Sequence, residues 1–249
     1  RNTAVNRTSI TGLACLLAVA LTACAGGGEP PAPSGSPASA PLEALKEPAN
    51  SMSVSPPLSP APVSAEALAA YRALLAGEPG ALDRPPEGLE LHQVTLPPAE
   101  ELEYVLLDLD GDGGAELVVQ MVAQPHQFNA VFHYGDGELS CWQYDIMEMS
   151  CRDYPLGDGA MVRQYDTGTG PNRYSNLYTV FRYLPDGETE ECASLAVHQD
   201  TQEDGTEVFT YLVDDAEVDQ DTFAAEFEEL VGSRLLSLED WTPATERPG

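Results

Sequence analysis

The chain has 249 residues, 43% of them hydrophobic, enough for one core once a low-complexity N-terminal part is set aside. Its 41 acidic residues face 11 basic ones, a formal charge of −30, and such a surface repels nucleic acid and anionic lipid. Nucleic acid is thereby excluded as an expected partner, while cations, basic partners or plain solvation of the surface remain open.

Arg1 and Arg7 precede an apolar run, 13–21, that is too short for a comfortable membrane span and reads as an export signal. The run closes in Leu21, Thr22, Ala23 and Cys24. These four residues resemble the lipobox of bacterial lipoproteins, which implies a signal peptide over 1–23, cleavage before Cys24 and a diacylglyceryl group on its thiol. An ordinary secretory signal with a small-residue cleavage site is the alternative. Two acyl chains hold a protein on a bilayer, so the implied location is the extracytoplasmic face of the cell membrane. Without 1–23 the chain carries 9 basic and 41 acidic residues, a formal charge of −32.

Residues 24–63 are dominated by Pro, Ala, Ser and Gly and have too few large apolar groups for a core. They read as a linker reaching roughly 35 Å as a flexible coil and at most about 120 Å as polyproline II. A folded domain over 64–242 follows. Ser64 is placed to cap a helix in which Leu68, Tyr71, Leu74 and Leu75 share a face, and Gly77 and Pro79 stop it. Residues 78–100 read as loop with a brief strand at 91–96.

The stretch LLDLDGDGGAELVV at 106–119 is the sharpest feature of the chain. Strand-prone segments at 103–107 and 116–122 flank Asp108, Asp110, Asp112 and Glu116, which occupy positions 1, 3, 5 and 9 of an acidic loop. Gly111 and Gly113 bend that loop, and Gly114 at position 7 offers a backbone carbonyl. Alternating carboxylates on a bent chain can converge on a hard cation, and Ca2+ tolerates such irregular oxygen sets better than Mg2+ does. An EF-hand proper is not expected, because the flanks are β-prone and position 12 is Val119.

Downstream, 129–134 and 138–144 are separated by Gly135, Asp136 and Gly137, a hairpin signal. Further strands are expected at 160–165, 176–184, 191–198 and 207–213, with a glycine-rich loop at 165–173. Turns this short imply antiparallel, meander-like order. Asp219 is placed to cap a last helix carrying Phe223, Phe227, Leu230 and Val231, ended by Gly232. Residues 235–238 and Trp241 are expected to finish the core, and 243–249 to fray. The fold class is α+β: mainly an antiparallel β meander with one N-terminal and one C-terminal amphipathic helix.

The DLDGDGxxEL pattern resembles the calcium loops of FG-GAP and VCBS-type β-structures, although those families use tandem copies and this chain has one. Lipobox, linker, AYRALL helix, acidic loop, YGDGEL hairpin and closing helix together resemble a group of uncharacterised lipoproteins of Gram-positive bacteria. That resemblance implies a calcium-loop domain of unknown activity.

Export permits a disulfide, and a hairpin turning near residue 146 would set Cys141 opposite Cys151, with buried thiols or a pairing through Cys192 as alternatives. His92, His126, His133 and His198 show no ligand spacing and read as surface or strand histidines. No GxSxG elbow is present, and GTG at 168–170 lacks the context of a phosphate loop. Trp142, Tyr144, Tyr174, Tyr178, Phe181 and Tyr183 can line a glycan or peptide groove, but at strand spacing they fit a core better. The expected function is a lipid-anchored extracytoplasmic binding or structural module stabilised by one Ca2+, with a cell-surface protein or glycan as ligand. The alternative is a secreted hydrolase or enzyme accessory domain with catalytic acids drawn from Asp166, Glu188 or others.

Overall fold

The computed structural model describes residues 61–123, 128–146 and 151–248. The expected signal peptide, Cys24 and nearly all of the expected linker lie outside the described residues, but Val63 already packs against the core. The opening helix, α1, runs Ala65–Leu75, and the Ser64 side chain accepts the Ala67 amide at its start. Ala67, Tyr71, Leu74 and Leu75 form its buried face, so Ala67 takes the place expected of the half-buried Leu68.

Among the described residues, eleven strands follow in two antiparallel sheets. The first contains β1 (Leu102–Leu107), β2 (Glu116–Met121), β3 (Phe128–Gly135), β4 (Glu138–Ile146) and β11 (Thr242–Pro243), in the order β11-β1-β2-β3-β4. The second contains β5 (Cys151–Pro155), β6 (Met161–Gly170), β7 (Arg173–Tyr183), β8 (Thr189–Thr201), β9 (Glu207–Val213) and β10 (Ala216–Val218), in the order β10-β9-β8-β7-β6-β5. The closing helix α2 spans Gln220–Leu230, its first turn capped by Asp219 accepting the Thr222 amide.

Alternation along the strands gives the first sheet two apolar faces, which is why β2 reads as an almost unbroken apolar run. Leu102, Tyr104, Leu117, Val119, Ala130 and Phe132 pack under α1. Val105, Leu107, Val118 and Val131 point the other way and meet Met161, Phe181 and Tyr183 of the second sheet. On that sheet's far face, Phe227 of α2 lies edge-on to Tyr178 at 5.1 Å, and Phe223 packs on Tyr211. Among the described residues no helix is long and apolar enough to cross a membrane.

Several expectations change. Residues 91–96 contain a 3-10 turn, Leu91–Gln93, rather than a strand. The expected glycine-rich loop is the end of the β6–β7 hairpin, where a bulge between Gly168 and Gly170 lets glycines continue the ladder. β10 has no counterpart among the expected strands, and β5 is anticipated only as the strand that a hairpin would set opposite Cys141. Leu235 and Leu238 are exposed, while Leu236 and Trp241 join the core. Residues 243–248 do not fray. Pro243 pairs with Glu103 on the open edge of β1, Ala244 is buried, and the Tyr104 hydroxyl donates to the Glu246 carbonyl.

The expected Cys141–Cys151 disulfide does not form. β4 pairs along its length with β3, and β5 belongs to the other sheet, so no hairpin sets the two opposite each other. Cys141, Cys151 and Cys192 are thiols. Cys141 is buried and donates to the Gln143 carbonyl, and burial pushes its pKa up to about 12.

The turn from β5 to β6 is tied down by Asp158. Arg234 donates to both of its carboxylate oxygens, at 2.8 and 2.6 Å, and Arg182 to one, at 2.9 Å. Burial alone would raise the Asp158 pKa, but the hydrogen bond and charge of Arg234, the Ala160 amide and Arg182 together hold it below the ordinary value. A lowered carboxylate pKa stabilises the fold above the unfolded value and loses that contribution as pH falls through the folded one. Asp158→Asn should therefore melt below wild type at pH 7, and melting curves at decreasing pH should show the gap closing in the acid range below about pH 4.

Candidate metal centre

The acidic loop joins β1 to β2 at one end of the first sheet, and its shape follows from three kinds of restraint. Gly111 and Gly113 adopt φ of +77° and +89°, the left-handed region in which side chains are strained. Leu109 is fully buried in the core between the sheets and anchors the loop from inside. On the other side, the Tyr71 hydroxyl of α1 donates to the Ala115 carbonyl at 2.8 Å.

Backbone amides then hold the carboxylates. Asp108 accepts from Gly111 and Gly113 at 2.7 and 3.1 Å, Asp110 from Asp112 at 3.0 Å, and Asp112 from Gly114 at 2.6 Å. These bonds turn the three side chains together, so that one carboxylate oxygen from each lies within 4.8 Å of the others. The structure brings Asp108, Asp110 and Asp112 into one group, as the 1-3-5 spacing implies.

Glu116 behaves differently. It is 1% exposed, points into the space between the sheets, and accepts the Leu109 amide at 2.7 Å while its other oxygen meets His133 Nδ1 at 3.0 Å. With Asp110 and His133 it forms a second group whose ligand atoms also lie within 4.8 Å of one another. Asp110 belongs to both groups. Either cluster can hold a metal ion, and Gly114 takes part in the loop through its amide.

Burial and like charges act together on the acids of the site. Burial raises the Asp110 pKa, and the charges of Asp112 and Asp108 add to it, outweighing the Asp112 amide and His133. Burial also raises that of Glu116, despite hydrogen bonds from His133 and Leu109. For His133 burial works against the cation, yet the hydrogen bond and charge of Glu116, with Asp110 and Asp112, hold the pKa above the ordinary value. Asp110 Oδ2 is buried without a hydrogen-bond partner. An orphaned carboxylate oxygen beside further carboxylates is the donor chemistry that a divalent cation satisfies.

His133 is the residue that sequence spacing missed. The register pairs Leu117 with Phe132, which carries Glu116 and His133 to adjoining positions on one face of β2 and β3. Reading it from sequence requires the register of two strands whose connection gives no turn signal. His133 also stacks on Trp142, 4.3 Å between centroids and 11° between planes, and Trp142 leans on Tyr183 at 5.1 Å. Trp142 is the extra residue of a bulge in β4, because Val131 pairs with Gln143 and Phe132 with Cys141.

The acids of the hydrolase alternative are not brought together. Asp166 sits opposite Asn176, and Glu188 lies in the turn beyond Tyr183, so the length of β7 from 176 to 183 separates them by about 23 Å. Of the aromatics, Tyr178, Phe181 and Tyr183 are core, whereas Trp142, with Arg84, Glu87, Asp186 and Glu188, lines an open polar cleft of about 670 Å³. The chain matches no family model, no curated protein and no solved structure.

Proposed function

We propose that this chain is an extracytoplasmic binding or structural module, anchored through lipidated Cys24, whose β-domain is locked by one Ca2+ in the 108–116 loop. The observation that carries this reading is the set of backbone amides that turn Asp108, Asp110 and Asp112 toward one point. Glycine-rich turns of this kind supply all-oxygen sets, the chemistry that a hard, flexible cation such as Ca2+ takes and that softer ions do not favour. Empty, the loop holds three carboxylates in mutual repulsion, and Leu109 transmits the resulting looseness to the core between the sheets. Filled, it fixes the end of β1, the start of β2 and the neighbouring β5–β6 turn. Calcium near a millimolar outside the cell would then favour the ordered form after export. The ligand of the proposed module is a cell-surface protein or a glycan.

Thermal melting with calcium and with chelator tests the reading. At a free concentration of about 100 dissociation constants the ion should add roughly 2.7 kcal/mol, which for a domain of this size raises the midpoint by roughly 5–10 °C. Asp110→Ala should abolish the difference. Coincident curves for the wild type would remove the calcium lock and leave the anchored module without it.

A further inference from the structure

Asp110, Glu116 and His133 differ in kind from the loop set: they join an imidazole to two carboxylates, come from the loop, β2 and β3, and combine one buried residue with two half-buried ones. We propose that these three residues form a separate centre for a transition-type divalent cation, of the class of zinc, cobalt or manganese. The inference shares Asp110 with the calcium reading but does not need calcium to bind.

Three features carry it. Asp110 Oδ2 is buried and has no hydrogen-bond partner, so a strong acceptor is spent on nothing within the chain. Glu116, almost wholly buried, has one oxygen fixed by the Leu109 amide and the other 3.0 Å from His133 Nδ1, a separation that two ligands of one small cation also adopt. The imidazole is turned the required way. Its Nε2 lies so close over Gly135 that a Cβ there would come within 2.5 Å, and Nδ1 is the nitrogen left to face the acids. A nitrogen-containing set of three protein ligands suits zinc-like ions and is poor for Ca2+, which takes six to eight oxygens. Stacking on Trp142 fixes the ring plane and places an indole in contact with the ligand imidazole.

Cobalt(II) titrated into the full chain is the test, read by its visible absorption and by quenching of Trp142 emission in a Trp241→Phe background that removes the other tryptophan. One equivalent should bind and quench. His133→Gln and, independently, Glu116→Gln, which keeps an acceptor for the Leu109 amide, should each weaken binding by about tenfold or more and abolish the quenching. Asp112→Asn should lose calcium binding and retain cobalt. Undiminished cobalt binding and quenching in either of the first two variants, or a thiolate charge-transfer band placing the ion on a cysteine, would overturn the proposal. Calcium binding that survives Asp112→Asn would instead count against the loop reading alone.

Discussion

Gly159→Ala should lower the stability of the domain by about 3–5 kcal/mol, the sum of a strained backbone and an overfilled contact. Gly159 has φ +83°, and a Cβ placed there would come within 2.0 Å of the Asp108 carbonyl oxygen, a backbone atom that cannot swing aside. The β5–β6 turn of one sheet thus lies directly against the first residue of the acidic loop on the other. Relief of the clash has to move either the turn, which Arg234 and Arg182 hold through Asp158, or the loop. Calcium affinity should therefore fall along with the melting midpoint, which should drop by roughly 6–20 °C. Gly205→Ala separates the two costs, because Gly205 has φ +84° with nothing within 4 Å. It should show a small loss of stability and unchanged calcium binding. A Gly159→Ala protein within about 1 kcal/mol of wild type would mean that the two sheets do not meet at this point.

Asp153→Ala should be nearly as costly, about 2–4 kcal/mol, for a different reason. The Asp153 side chain is 1% exposed and accepts from Arg163 at 2.9 and 2.6 Å and from Gln143 at 2.9 Å. Gln143 in turn donates to Asn129 and accepts from the Tyr183 hydroxyl, and Asn129 donates to the Asp153 carbonyl. This chain of bonds crosses from β3 and β4 to β5, β6 and β7, so the alanine removes an acceptor shared by half-buried Gln143 on one sheet and Arg163 on the other. Half of the Arg163 side chain remains in water, which keeps the loss below that of a fully buried charge. Denaturant unfolding measures the difference. A loss under about 1 kcal/mol would mean that water replaces the carboxylate without penalty.

Much of the local structure was legible before any coordinates. Ser64 and Asp219 name their own helices, because a capping side chain acts on amides two or three residues away. The Asp136-Gly137 turn fixes the β3–β4 hairpin through positive φ values at both residues, which few others accept. The 1-3-5 acid spacing gives away the clustering of Asp108, Asp110 and Asp112, since they converge through bonds that span no more than five residues.

What the sequence determined by itself is therefore the set of contacts made within a turn: caps, hairpins, the acidic loop and the alternation that gives each strand its faces. Only the tertiary structure decided which sheet each strand joins, and with it the failure of Cys141 to meet Cys151, the docking of 243–248 on β1 and the meeting of His133 with Glu116. Those outcomes depend on register and on packing between residues far apart in the chain. A period-2 pattern tells a strand which side to bury and says nothing about which neighbour it will lie beside.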